Sequence, residues 1–169
     1  MRQIAYIAAL IVVFFATMST INAAFAQNQS QIDTVLNGSK NCPGCNLFQA
    51  PFAYMELQDA NFAGARLIQA SFTVTILTRA NLAGADLSHA DMFGVVLTRA
   101  NLTGTNFTDA NLTGSWLLNA NMYGADLSGT VLSGARMETA GGLTQSQLNQ
   151  ACGDEATSLP RGLTIPRCR

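Results

Sequence analysis

Apolar side chains recur along this chain at every fifth position. Starting at Leu47 they fall on Phe52, Leu57, Phe62, Leu67, Phe72, Leu77, Leu82, Leu87, Met92, Leu97, Leu102, Phe107, Leu112, Leu117, Met122, Leu127, Leu132 and Met137, so nineteen consecutive units are centred on Leu, Phe or Met. Two residues before the centre stands Ala in twelve of the nineteen units, with Thr, Ser, Val, Cys or Met in the others. The residue just before the centre is Asn or Asp in most units. A period of five matches neither the 3.6 of an amphipathic helix nor the 2 of a half-buried strand. Held without insertion over residues 45–139, it predicts a solenoid, in which each unit buries its apolar residue only by stacking on a neighbour. A second period lies above the first. Asn61, Asn81, Asn101 and Asn121 recur every twenty residues, as do Gly64, Gly84, Gly104 and Gly124. Four units therefore make one turn, and one face carries a ladder of identical residues.

Ala80-Asn81-Leu82-Ala83-Gly84 and Ala85-Asp86-Leu87-Ser88-His89 show the unit in its plainest form. They resemble the A(D/N)Lxx unit of the pentapeptide repeat family, and the resemblance covers residues 45–139. It implies an all-β solenoid: a right-handed quadrilateral β-helix of about five coils, followed by a short helical C-terminal cap. The centre and the small residue two before it would point inward. Successive coils would stack about 4.8 Å apart, the ordinary strand spacing. Each buried Leu or Phe is then worth roughly 1.5–3 kcal/mol. Ala is needed at the second inward position because two large side chains per unit would overfill a narrow core. Met55 and Val95 depart from that preference. Thr75, Thr105, Ser115 and Thr130 would be inward hydroxyls, each expected to bond a backbone carbonyl because an unpaired buried hydroxyl costs energy.

The flanks read as delivery and capping. Residues 1–26 form a secretory signal pattern: Arg2, an apolar run from Ile4 to Ala16, and the cleavage site Ala24-Phe25-Ala26 before Gln27. The alternative is an uncleaved membrane anchor, opposed by the polar Thr17, Ser19, Thr20 and Asn22, which leave a short apolar stretch. Residues 27–44 form an N-terminal lid, with Ile32, Val35 and Leu36 spaced to lie over the first coil as an amphipathic turn. Such a lid would cover an open end whose unpaired edge otherwise invites aggregation. Residues 140–169 form the C-terminal cap and tail. Thr144-Gln145-Ser146-Gln147 fits a capping box with Leu143 and Leu148 as a staple, and a helix of about two turns is expected to Ala151. This segment is similar to the C-terminal segment of exported bacterial members of the same family, which implies a cap.

Four cysteines follow the leader: Cys42, Cys45, Cys152 and Cys168. An even count in an exported chain points to disulfides. The ends of a rod of nearly five coils lie about 20 Å apart at strand spacing, whereas a disulfide needs Cα atoms within about 7 Å. Cys42 is therefore expected to pair with Cys45, and Cys152 with Cys168. A redox CxxC would need a βαβ setting that this pattern lacks, and a four-cysteine zinc site would need the two ends to meet.

Little chemistry is visible. The single histidine, His89, is expected one coil from Asp109 on the same outward column, a solvated pair with no nucleophile beside it. There is no phosphate loop, metal-ligand cluster or triad spacing, so no catalytic residue, cofactor or metal is assigned and the chain is read as a non-enzyme. Some members of the family mimic duplex DNA and bind type II topoisomerases through a strongly acidic surface. Here the array has seven acidic residues (Glu56, Asp59, Asp86, Asp91, Asp109, Asp126, Glu138) and four arginines (Arg66, Arg79, Arg99, Arg136), a net charge of −3. That is far below the charge density of duplex DNA, and the absence of a basic stripe argues against nucleic-acid binding. The topoisomerase-binding DNA mimic is kept as the alternative function. The favoured reading is a non-catalytic, periplasmic or secreted structural or protein-interaction module. Membrane contact is expected only if the leader stays attached.

One surface stands out. On every fourth unit the residue before the centre is not Asn or Asp: Ile76, Val96 and Trp116 recur at twenty-residue spacing, with Leu118 beside Trp116 and with Arg79 and Arg99 flanking. An apolar stripe with cationic edges resembles an interface core with a polar rim, and a Trp within it is a candidate hot spot. β-branched residues also suit an exposed strand, and the lid could fold over them. Self-association or docking of a protein partner is the expectation tested below.

Overall fold

A computed structural model describes residues 28–169; the leader and cleavage site expected from the sequence lie outside these. From Asn41 onward the chain pairs, in parallel, with itself twenty residues later. Four columns result: Asn41–Asn61–Asn81–Asn101–Asn121–Gly141 on the first face, Asn46–Arg66–Asp86–Asn106–Asp126 on the second, Pro51–Ser71–Asp91–Asn111–Val131 on the third, and Glu56–Ile76–Val96–Trp116–Arg136 on the fourth. This is a quadrilateral β-helix. Each unit sends its central N–H to the next coil, as Leu47 does to Arg66 O at 2.8 Å, and receives a bond in return from Arg66 N–H to Cys45 O at 2.8 Å.

Burial follows the five-residue pattern closely. Every centre from Leu47 to Met137 is buried, as are the small residues two before each, apart from the half-buried Cys45 and Met55. Val95 fits without exposure, so the larger side chain is absorbed at that level. Three of the four inward hydroxyls bond the carbonyl twenty-three residues earlier: Thr75 to Phe52 at 2.6 Å, Thr105 to Leu82 at 2.8 Å and Thr130 to Phe107 at 2.8 Å. Ser115 is the exception, since its Oγ is buried without a partner. The difference is steric. Threonine carries a γ-methyl that restricts χ1, whereas serine has none to hold its oxygen toward the matching carbonyl of Met92. An unmatched buried hydroxyl costs about 1–3 kcal/mol. Ser115→Ala is therefore expected to raise the unfolding free energy by about 1 kcal/mol, and Thr130→Ala to lower it by a similar amount. Urea titration of both variants checks the opposite signs; a destabilised Ser115→Ala would mean that Ser115 is satisfied in solution.

Outward polar residues form ladders of their own. Asn61 Nδ2 donates to Asn41 Oδ1 at 3.0 Å, and Asn81 and Asn101 repeat the contact at 3.2 Å. The Oδ1 atoms of Asn61, Asn81 and Asn101 each also accept the backbone N–H two residues on, as Asn61 does from Ala63 at 3.3 Å. The asparagine thus fixes the corner that follows it. That corner is a β-turn whose third residue is left-handed, closed by bonds such as Ala50 N–H to Leu47 O at 3.1 Å. Glycine is the natural occupant, but ten corners carry other residues, among them Tyr54 (φ 64°) and Val74 (φ 54°). The glycines are thus one solution to the corner, not its cause. At Gly129 a Cβ would also crowd the exposed Asp109 carboxylate, 2.1 Å from Oδ1, which would have to turn aside.

Both ends are closed. Residues 28–36 are helical (α1). Ile32 and Val35 are buried against the first units, Leu36 is not, and Gln31 Oε1 accepts Asn46 N–H at 2.7 Å. The CPGC loop lies in register with the repeat: Cys42 occupies a centre position, buried, with its N–H on Asn61 O at 2.8 Å. Cys42 is bonded to Cys45 and Cys152 to Cys168, at Cα separations of 5.5 and 4.8 Å.

The C-terminal helix α2 spans Gln145–Leu148 with a complete capping box from Thr144 to Gln147. It is one turn long rather than two. The chain has to rejoin the columns, where Cys152 bridges Val131 and Ser158 bridges Arg136. The helix stands where the next second-face strand would lie, and Gln147 Nε2 donates to the carbonyls of Met122 and Ala125 at 3.1 and 2.8 Å. Asp154 ties the tail down by accepting Gly134 N–H at 2.9 Å; that bond, with those from Thr157 and Ala156, holds its carboxyl below the usual aspartate range.

Candidate interaction surface

The fourth face departs from the rule that outward positions carry short polar residues. The first face is held by the Asn ladder and the second by Arg66, Asp86 and Asn106, with Arg66 donating to Asn46 at 3.1 Å and Asn106 to Asp86 at 3.0 Å. The fourth offers Ile76, Val96 and Trp116, whose strands pair directly with one another. Ile76, Val96 and Leu118 are half-buried by their neighbours along the column, and Trp116 remains 43 % exposed. Helix α1 packs on the end of the solenoid and leaves Trp116 exposed.

The column continues past Trp116. Arg136 follows twenty residues later, with its guanidinium 4.7 Å from the centroid of the Trp116 ring and 3.1 Å from Glu138 Oε1. At the opposite end stands Glu56, exposed. Charges of opposite sign therefore bracket the apolar run. Sequence reasoning stopped at Trp116 because it followed apolar identity; the twenty-residue spacing alone would have added both Glu56 and Arg136.

The two corners bordering this face differ. One carries Asp59, Arg79, Arg99 and Asn119. Arg79 forks onto Asp59, Nε to Oδ1 at 2.7 Å and Nη2 to Oδ2 at 2.6 Å. This contact holds the Asp59 carboxyl below its ordinary value and pushes the guanidinium up. Arg79 is thus paired within the chain, while Arg99 makes no ion pair among the described residues. The other corner carries Tyr54, Val74, Gly94, Gly114 and Gly134 in succession, all left-handed. Tyr54 is 76 % exposed and Val74 47 %, with Phe93 just before this corner at 48 %. These three enlarge the apolar surface and were not singled out from sequence. Tyr54 and Val74 lie twenty residues apart, which is the signal that could have found them. A β-branched side chain held left-handed costs energy in the folded chain, and exposing it adds no burial in return.

Elsewhere the surface carries weak pairs. His89 Nδ1 and Asp109 Oδ2 are 3.8 Å apart, both side chains about half exposed. Such a pair contributes little, and no nucleophile adjoins it. Among the described residues, no three His, Cys, Asp or Glu side chains group as metal ligands, and no helix is long and apolar enough to cross a membrane.

Comparison with known proteins gives a consistent picture. The family model for pentapeptide repeats matches residues 56–94, 90–129 and 105–140, with eight copies. No curated protein matches this chain in sequence. Among solved structures, the pentapeptide repeat protein Rfr23 from the cyanobacterium Cyanothece 51142 is similar over 78 % of this chain and 99 % of its own, with a TM-score of 0.63 and 22 % identity. HetL from Nostoc sp. strain PCC 7120, described as involved in heterocyst differentiation regulation, aligns over 73 % of this chain and 58 % of its own at 24 % identity and a TM-score of 0.37. The plasmid-mediated fluoroquinolone resistance protein QnrB1 aligns over 73 % and 63 % at 21 % identity and 0.34. The likeness to Rfr23 carries the fold; the other two scores carry no argument.

Proposed function

This chain belongs to the pentapeptide repeat family, and we propose that it is a non-catalytic, exported structural or protein-interaction module that works through its fourth face. The observation that carries the reading is the exposed Trp116 in an apolar column with charged ends. A buried Trp or Tyr at the centre of an apolar patch is the usual source of binding energy in an interface. The array is read as about five coils, because five twenty-residue steps separate Asn41 from Gly141 on the first face. Rigidity suits the role, since a rod stapled at each end presents this face with little conformational freedom to lose on binding. Export to the periplasm or beyond rests on the leader pattern and the paired cysteines.

The expected result is that Trp116→Ala combined with Ile76→Thr leaves the circular dichroism unchanged and abolishes capture of envelope proteins by the immobilised module. Capture of the same proteins by wild type and double variant would remove the fourth face from the proposal. Cytosolic protein still carrying Met1 would remove export.

A further inference from the structure

We propose that the fourth face pairs with the fourth face of a second copy of this chain, with the two rods antiparallel. This deepens the proposed use of that face by naming its occupant. The order of residues along two neighbouring columns is complementary to its own reverse.

Consider a two-fold axis lying in the interface, along the strand that contains Val96. It reverses the column: Val96 meets Val96, Ile76 meets Trp116 of the second copy, and Glu56 meets Arg136. The apolar run Ile76–Val96–Trp116 is bracketed by one acid and one base, so reversal puts opposite charges together at both ends. A parallel arrangement would instead set Glu56 against Glu56 and Arg136 against Arg136. Opposite potentials across an interface select partner and register, and a two-fold contact requires a surface complementary to itself.

The adjoining corner shows the same complementarity in shape. Its order is Tyr54, Val74, Gly94, Gly114, Gly134. Under the same axis Tyr54 meets Gly134, Val74 meets Gly114, and Gly94 meets Gly94. The bulky half thus faces the glycine half. The glycines have room: a Cβ built on Gly114 meets nothing within 4 Å, and one on Gly134 meets only the Gly114 backbone at 3.9 Å. The exposure of Tyr54 and Val74 in a conformation their side chains disfavour then has a reason, because the second copy covers them. Arg99 meets its own copy at the far corner, where both guanidiniums reach water. The column spans four steps, about 19 Å at strand spacing. A patch of that length predicts a concentration-dependent dimer rather than a permanent one.

Charge reversal tests the pairing with the full chain in sedimentation velocity. Wild type is expected to dimerise as concentration rises. Glu56→Arg alone and Arg136→Glu alone should each weaken the dimer about tenfold or more, since each sets like charges together twice. Circular dichroism confirms that each variant is folded. Mixing the two variants should restore association, because each reversed residue then meets its opposite in the other copy. A wild type that stays monomeric at its highest soluble concentration overturns the pairing, as does a mixture no tighter than its components. Self-pairing and partner docking separate cleanly. A monomer whose envelope capture is lost on Trp116→Ala with Ile76→Thr defeats self-pairing and leaves the interaction module standing. A dimer with the charge-reversal pattern and no envelope partner supports self-pairing and removes the heterologous partner.

Discussion

Replacing Phe52 with alanine is expected to lower stability by about 3–5 kcal/mol, the range for deleting a buried aromatic side chain. Phe52 is fully buried and joins two aromatic contacts, to Phe72 one coil on at 5.4 Å between centroids and to Phe62 across the core at 6.2 Å with nearly parallel rings. The cavity should not be felt evenly. Each coil contacts only its neighbours, so a solenoid loses stability locally and frays from the weakened end. Hydrogen exchange is expected to quicken from Cys42 to about Phe72 while amides near Leu102 and Leu112 keep their protection. Uniform loss of protection along the rod would show that it unfolds as a single unit.

Cys152→Ser should cost about 2–4 kcal/mol. The bridge to Cys168 spans sixteen residues, and it anchors a tail that otherwise holds by a few bonds: Cys168 N–H to Gly153 O at 3.0 Å, Asp154 to Gly134, and an ion pair between Arg167 and Glu155. Cys168→Ser should reproduce the loss, and the double variant should add nothing further. The Cys42–Cys45 bridge spans three residues and constrains the unfolded chain less, so its removal should cost less. Thermal unfolding of the four variants measures the order. Equal effects from both bridges would mean that native-state strain, not loop closure, decides their contribution.

The core was legible in the sequence because one inward position in five tolerates only Leu, Phe or Met and a second favours Ala. No other arrangement buries that pattern. The Asn ladder and the Thr144–Gln147 capping box were readable for the same reason: each depends on residue type at a set spacing. Tyr54 and Val74 stand twenty residues apart at an outward position, but their left-handed conformation was not readable. A left-handed turn suggests glycine, and the hydrogen-bond ladders on both sides of the corner impose the conformation on whatever side chain stands there. The short α2 was hidden too, since propensity over Gln145 to Ala151 knows nothing of the bridge that Cys152 makes to Val131. Arg136 lies on the same twenty-residue spacing but is charged, so apolar identity passes over it, and its contact with the face of Trp116 joins unlike residue types.

The period-five core inside a period-twenty surface has a further consequence. Deleting any one unit from the middle of the array leaves every inward Leu and Ala in phase, so the interior barely registers the change. All residues beyond the deletion nevertheless rotate by a quarter turn, and Trp116 would move from the column of Ile76 and Val96 to that of Ser71 and Asp91. Loss of four units at once shortens the rod but restores the alignment. Inheritance therefore sees two kinds of length change in such a gene: multiples of fifteen bases that are not multiples of sixty, which spare the core yet scramble the outside, and multiples of sixty, which preserve both.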